Sequence, residues 1–178
     1  MHETVSPQTL GRITQLELPL CRWLNAVRSR PLLWLFSAVS WLGNGHFWTA
    51  LALLLVLADG QAALPTVFRL SLVSVLCCSL HRVLKSRTAR PRPFAAEPGF
   101  HLTVEALDEF SFPSGHMLHA VGYTLVLAVY YPPVFWCVLP FTLLVAASRV
   151  VLGLHYPTDV VMGAALGATV ATVVLWIW

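Results

Sequence analysis

Charge is what this chain has least of. Only 11% of its 178 residues are Asp, Glu, Lys or Arg, whereas a soluble domain carries roughly 25%. So few cannot cover a water-facing globular surface, and the 57% hydrophobic content points the same way. No Lys/Arg-rich run with interleaved aromatics occurs, which removes the footprint of a nucleic-acid binder. Four cysteines, Cys21, Cys77, Cys78 and Cys137, give neither a disulfide framework nor a zinc-site spacing. Cys77, Cys78 and Cys137 lie in apolar runs and read as small buried hydrophobes. Met1 to Glu17 is polar and has no signal-peptide core. Repeats and low-complexity tracts are missing too. What is left is a polytopic membrane protein, a single all-α bundle over residues 1–178.

Hydropathy divides the chain into five full spans and a shorter N-terminal region. A helix needs about 20 apolar residues to cross a bilayer. Leu16 to Val27 mixes Leu and Val with Arg22 and Asn25, as an interfacial amphipathic helix anchored by Trp23 and Arg22 does. Pro31 to Leu42 is apolar but short, and reads as a tilted or half-inserted helix ended by Gly43-Asn44-Gly45. Residues 1–43 therefore form a polar and interfacial segment. The predicted spans are Phe47 to Ala58, Pro65 to Leu84, Ser114 to Tyr131, Val134 to Leu152 and Pro157 to Trp178, with Pro140 expected to kink the fourth. Alternating spans put the polar residues near Lys85, Ser114, Arg149 and Pro157 on one side of the membrane. Tolerated charges scattered at random need not do that.

Three clusters lie at that side. Ser148 to Asp159 sits between two apolar runs, where Arg149, His155 and Asp159 are costly unless they work. Pro157 suits a helix's first turn, which places His155 just before a helix and Asp159 four residues on, on the same face. A carboxylate holding one imidazole nitrogen leaves the other free as a nucleophile. Arg149 offers a planar fork for phosphate oxygens. A helix-end ion pair beside an interfacial histidine is the plainer reading of the same residues. Phe112-Pro113-Ser114-Gly115-His116 opens a span: Ser114 is a good N-cap, Gly115 lets a ligand approach the backbone, and the exposed N–H groups favour an anion. Without a ligand it is simply a capped helix. Lys85 to Pro93 is cationic and stiffened by Pro91 and Pro93, which also describes a basic loop held by anionic headgroups.

Taken together the clusters read Lys85-x6-Arg92-Pro93, Pro113-Ser114-Gly115-His116 and Ser148-Arg149-x5-His155-x3-Asp159. This resembles the type-2 phosphatidic acid phosphatase superfamily, the integral-membrane lipid phosphate phosphatases, whose three signatures appear in full and in order within residues 85–159. The resemblance implies that Lys85, Arg92, Ser114, Gly115 and Arg149 bind phosphate. His155 would attack phosphorus and form a phosphohistidine, Asp159 would orient and charge-stabilise it, and His116 would protonate the leaving oxygen and then activate water. Phosphoryl transfer needs mainly positioning and charge stabilisation, and three cations with a helix N-terminus supply these without a metal or cofactor. The implied partners are a lipid phosphate substrate and membrane lipids. Substrates of this class include undecaprenyl diphosphate, phosphatidylglycerophosphate and phosphatidic acid. Phosphotransfer to a second lipid would use the same intermediate, and a non-catalytic lipid-binding or transport protein would not need His155. Bacterial members imply an outward-facing site in the inner membrane. Members usually have six spans, and this chain departs from them by lacking the first.

Other residues carry less. His119 follows His116 by three and could join His116, His155 and Asp159 around a metal; packing or a backbone bond is the expected alternative. Glu105, Asp108 and Glu109 read as a solvated rim, or as a preference for a cationic headgroup. Gly163-x3-Gly167, with Ala164, Ala168 and Ala171, is a small-residue face for close packing inside the bundle.

Overall fold

A computed structural model describes residues 7–106 and 108–177, with the side chains of residues 7–10 left aside. Helix α1 (Pro7–Asn25) is followed by α2 (Arg30–Trp41), α3 (Phe47–Asp59), α4 (Leu64–Thr88), the single turn α5 (Pro93–Ala96), α6 (Gly115–Tyr130), α7 (Pro132–Val151) and α8 (Pro157–Ile177). Among the described residues there is no strand, only an isolated bridge between Pro91 and Phe110. Three helical stretches are long and apolar enough to cross a membrane: Arg30–Thr88, which joins α2, α3 and α4, then Pro132–Val151 and Pro157–Ile177. Five full spans are therefore more than these lengths establish, because α3 has 13 residues and α6 has 16. At 1.5 Å per residue each falls short of a hydrocarbon core about 30 Å thick.

Local chemistry sets the breaks. Gly45 takes φ 107°, closing the irregular Leu42–His46 segment between α2 and α3, a conformation that costs glycine nothing. Pro140 lies inside α7, which continues through it. The centre of the bundle is α6, packed on α4, α7 and above all α8. Val73, Cys77, Leu118 and Val126 fill one side of it, and Trp48, Met117, Leu127 and Val145 the other. Leu53, Leu57, Val75, Leu143 and Val161 face outward, the arrangement a lipid-exposed surface requires.

The small-residue face of α8 is used within the chain. A Cβ on Gly163 would lie 2.5 Å from the Ser114 carbonyl oxygen, and one on Gly167 would strike the backbone of Leu118. Neither obstacle is a side chain that can swing away. Gly167→Val should therefore separate α6 from α8, at a cost of at least about 1–3 kcal/mol. Thermal unfolding in detergent should show a clear loss of stability. A wild-type Tm would contradict the close α6–α8 contact.

The N-terminal helix is longer than expected. The helix begins before Leu16 and runs back to Pro7, while Met1 to Ser6 lie outside the described residues. One face carries Thr14 and Glu17 onto Arg90, Glu17 also onto Thr158, Cys21 onto Val150 and Tyr156, and Asn25 onto the Val151 carbonyl. The other presents Leu16, Leu20 and Trp23 outward. Arg22 pairs with Glu97. Of the cysteines, Cys21 and Cys77 are buried as small apolar groups, but Cys78 and Cys137 are exposed on helix surfaces, against expectation.

Candidate active site

Helix α4 ends at Ala89, whose left-handed φ of 44° turns the chain back toward the bundle. The next residues alternate with proline, Arg90-Pro91-Arg92-Pro93. A residue before proline is pushed to extended backbone, and Arg92 has φ −73° and ψ 156°. Side chains two apart on an extended segment share a side. Arg90 and Arg92 accordingly both turn inward, buried to 2% and 1% exposure.

On the α7–α8 side, Gly153 at φ 70° reverses the chain, and the Arg149 carbonyl receives the N–H groups of both Leu154 and His155. This holds His155 immediately before α8, which starts at Pro157 as expected. Asp159 Oδ2 lies 3.6 Å from His155 Nδ1, within ion-pair reach but too long for a hydrogen bond, and accepts the Tyr156 N–H at 2.9 Å. Arg92 Nη1 stands 3.3 Å from His155 Nε2. A guanidinium can only donate. Read as a hydrogen bond, this contact makes Nε2 the acceptor and puts the proton on Nδ1, which lies on the Asp159 side and has no hydrogen-bond partner. That is the tautomer a nucleophilic Nε2 requires.

Burial, reinforced by the cations of Arg149, Arg92 and Lys85, holds the His155 imidazole well below the usual histidine range. A group with a lowered pKa stays neutral as pH falls through its ordinary value and protonates only further down. The acid limb of kcat/KM, which reports the free enzyme, should thus lie below the ordinary histidine value of about 6.5. A pH–rate profile corrected for substrate ionisation checks this. An acid limb at or above that value would contradict the arrangement.

Four of the five expected phosphate ligands, Lys85, Arg92, Gly115 and Arg149, line one cavity of about 300 Å³ together with His116 and His155; Ser114 does not line it. Ser114 caps α6 through its backbone position alone; its Oγ is buried without a partner, as is Arg149 Nε. Arg149 Nη1 donates to Ser40 Oγ. His116 Nε2 is 3.1 Å from the Ser40 carbonyl oxygen, an acceptor that calls for a proton on that nitrogen. Its 3.5 Å approach to Arg149 Nη1 is then a contact, not a bond. His119 takes the role expected of a packed histidine: Nδ1 bonds the Gly115 carbonyl at 2.8 Å, and Nε2 meets Cys78 Sγ at 3.4 Å.

Four residues enter with roles that sequence reasoning did not give them. Arg90 donates to Asp159 Oδ1 at 2.6 Å and Thr158 Oγ1 at 2.8 Å, and lies 3.9 Å above the Tyr156 ring. Glu17, from α1, accepts from Arg90 at 2.8 Å and from both the N–H and the hydroxyl of Thr158. Ser40, from α2, braces Arg149 and His116. The period-two spacing of Arg90 and Arg92 was a readable signal. Nothing local marks Glu17 or Ser40. The fourth, Asp108, corrects the reading of a solvated rim. Its carboxylate pairs with Lys85 Nζ and, at 2.5 Å, with Arg92 Nη2, and its carbonyl accepts from Arg92 Nε at 2.8 Å. Burial alone would raise its pKa, but the Lys85 hydrogen bond and the Arg92 charge outweigh it and hold the carboxyl below the usual range. Glu105 and Glu109 remain exposed.

A cationic cradle around a histidine–aspartate pair, set in an apolar helical bundle, defines a membrane phosphatase, and known proteins agree. The PAP2 superfamily model matches residues 65–178. The chain is 35% identical over 146 residues to the decaprenylphosphoryl-5-phosphoribose phosphatase of Mycobacterium tuberculosis, covering 74% of this chain and 75% of that one. It is 28% identical to the undecaprenyl-diphosphatase of Sulfolobus acidocaldarius, over 72% of this chain and 62% of the other. Aquifex aeolicus LpxE superimposes with a TM-score of 0.79 at 26% identity, covering 90% of this chain and 95% of that structure. The phosphatidylglycerolphosphate phosphatase of Bacillus subtilis shares the fold, with a TM-score of 0.73 over 93% of this chain and 86% of its own, at 24% identity. The chain belongs to the PAP2 superfamily. It is an integral membrane phosphatase.

Proposed function

We propose that the protein hydrolyses a terminal phosphate or diphosphate from a lipid through a phosphohistidine on His155. The observation that carries this is the convergence of Lys85, Arg92, Arg149 and Gly115 on the cavity that His155 lines, with Arg92 Nη1 3.3 Å from its Nε2. In the reading, Nε2 attacks phosphorus and the P–O bond to the leaving group breaks. His116 supplies the proton that the leaving oxygen takes up. Water, deprotonated by His116, then attacks the phosphohistidine, releasing phosphate and restoring the imidazole. The Asp159 carboxylate, 3.6 Å from Nδ1, stabilises the imidazolium side by its charge, and the cations balance charge on the equatorial oxygens. Metal ions have no part in these steps.

The lipid part of the reading rests on a second hollow. It shares Gly45, Trp48, Ser74 and Tyr123 with the cavity and continues past Leu51, Val67 and Leu70, between α3 and α4. An apolar tail can lie there while its phosphate reaches His155. Polyprenyl phosphates head the candidates because the Mycobacterium and Sulfolobus relatives act on decaprenyl and undecaprenyl compounds; phosphatidylglycerophosphate and phosphatidic acid follow. We read α3, α4, α6, α7 and α8 as five crossings, α1 as interfacial, and the site as facing outward from a bacterial inner membrane. A phosphate-release assay of the purified protein against these lipids tests the proposal. Release from at least one, inhibited competitively by vanadate, is expected; release from none would refute it.

A further inference from the structure

Half of the phosphate cradle is already engaged by the protein itself. Arg92 spends Nε on the Asp108 carbonyl, Nη2 on the Asp108 carboxylate and Nη1 on the Leu154 carbonyl at 2.7 Å. Lys85 Nζ meets the same carboxylate and, at 3.3 Å, His81 Nε2. The rest is not engaged in this way: Arg149 lines the same cavity with its Nε buried and without a partner. One carboxylate thus bridges the two cations that a phosphate would bridge. Its side chain is 37% exposed, so it can swing outward, whereas Lys85 and Arg92 at 11% and 1% are held in place.

We propose that Asp108 competes with the substrate phosphate for Lys85 and Arg92, and so selects dianionic terminal phosphates over the singly charged phosphodiesters of ordinary membrane lipids. The inference rests on the phosphatase reading above and deepens it by naming a specificity-determining residue. The physical argument is an exchange. A terminal phosphate brings about −1.5 to −2 charges and three acceptor oxygens. It can satisfy Lys85, Arg92 and Arg149, which all line the cavity, at once and outweigh one carboxylate. A phosphodiester brings one charge and two unesterified oxygens, no more than Asp108 offers. Asp108 also has the advantage of being tethered, which gives it a high effective concentration at the site. Selection matters here because the cavity opens between α3 and α4 beside apolar surface, where phosphodiester headgroups outnumber any substrate. Ligand affinity is reduced by the fraction of protein in which its site is taken. Asp108 levies that reduction on every anion, and only the more highly charged ones overcome it.

The test uses the full chain in detergent. Inorganic phosphate binding is measured by calorimetry for wild type, Asp108→Asn and Asp108→Ser, the second guarding against misfolding of the first. Glu109→Gln, which removes a neighbouring exposed charge that touches none of the cradle, controls for general electrostatics. Phosphate release is then followed in mixed micelles with increasing phosphatidylglycerol, a phosphodiester. Phosphate should bind about ten-fold more tightly to the Asp108 variants, with Glu109→Gln unchanged. Phosphatidylglycerol should inhibit the Asp108 variants at about ten-fold lower mole fraction than wild type. Unchanged or weaker phosphate binding, or equal phosphatidylglycerol inhibition of wild type and variants, would overturn the inference while wild-type phosphate release leaves the phosphatase reading standing. A wild type that neither binds nor releases phosphate removes both.

Discussion

His155→Ala should lower phosphate release by a factor on the order of 10⁴–10⁶, the loss seen when a nucleophile that works as part of a unit is removed. The cradle would survive: Lys85, Arg149 and Ser114 do not depend on the imidazole for their positions, and Arg92 keeps its bonds to Leu154 and Asp108. Vanadate and phosphate should therefore still bind. The cavity left by the ring adjoins the active-site cavity, so it fills with solvent more easily than a closed core void would. Kinetics on purified variant, with phosphate binding as the folding control, decide the matter. Turnover within a few-fold of wild type would eliminate His155 as the nucleophile.

Asp159→Asn should cost on the order of 10²–10⁴ in kcat, by analogy with other carboxylates that fix a histidine tautomer. Every group facing this wholly buried side chain is a donor. Oδ1 takes Arg90, and Oδ2 takes the Tyr156 N–H and faces His155 Nδ1. An amide has one acceptor oxygen where the carboxylate has two. If the oxygen faces Arg90, the new NH2 confronts the Tyr156 N–H and turns a donor toward His155 Nδ1, which favours the tautomer protonated at Nε2. If the oxygen faces Tyr156, the NH2 confronts the Arg90 guanidinium. Either way a buried donor loses its acceptor, so Tm should fall along with kcat. Vanadate should keep its affinity, since the Asp159 carboxylate bonds none of the phosphate ligands and the backbone bond from Ser114 N–H to the Asp159 carbonyl, at 3.1 Å, survives the substitution. A near-wild-type kcat would reduce Asp159 to a helix-capping group.

Much of this site was legible in the sequence because its chemistry is local. The i,i+4 spacing of His155 and Asp159, the Pro157 start of α8 and the Ser114-Gly115 opening of α6 each follow from short-range rules, and the structure brings His155 and Gly115 to one cavity. The small-residue stripe of α8 was equally readable, since Gly163 and Gly167 announce a close approach whatever the partner. What was hidden is tertiary. Glu17 lies in a polar stretch whose helix forms against the α7–α8 loop, and its pairing with Arg90 spans 73 positions. Ser40 looks like any small residue of an apolar helix until α2 packs on α7. Asp108 was misread because an acidic loop residue is ordinarily solvated; only the return of that loop to Arg90, through the Ser111 N–H to the Arg90 carbonyl at 2.8 Å, brings it onto two cations. The number of spans stayed open for a related reason. Helix α6 is short for a full crossing, yet it is the most enclosed helix of the bundle, and hydropathy cannot tell burial in protein from burial in lipid.

The account stands or falls on the covalent intermediate. Wild-type protein given a lipid diphosphate or phosphate with labelled terminal phosphorus, then quenched in alkali within the first turnover, should carry acid-labile label. Mass spectrometry should locate it on the peptide containing His155, with none on His155→Ala. Label on another residue, or none on wild type during demonstrable turnover, would contradict it.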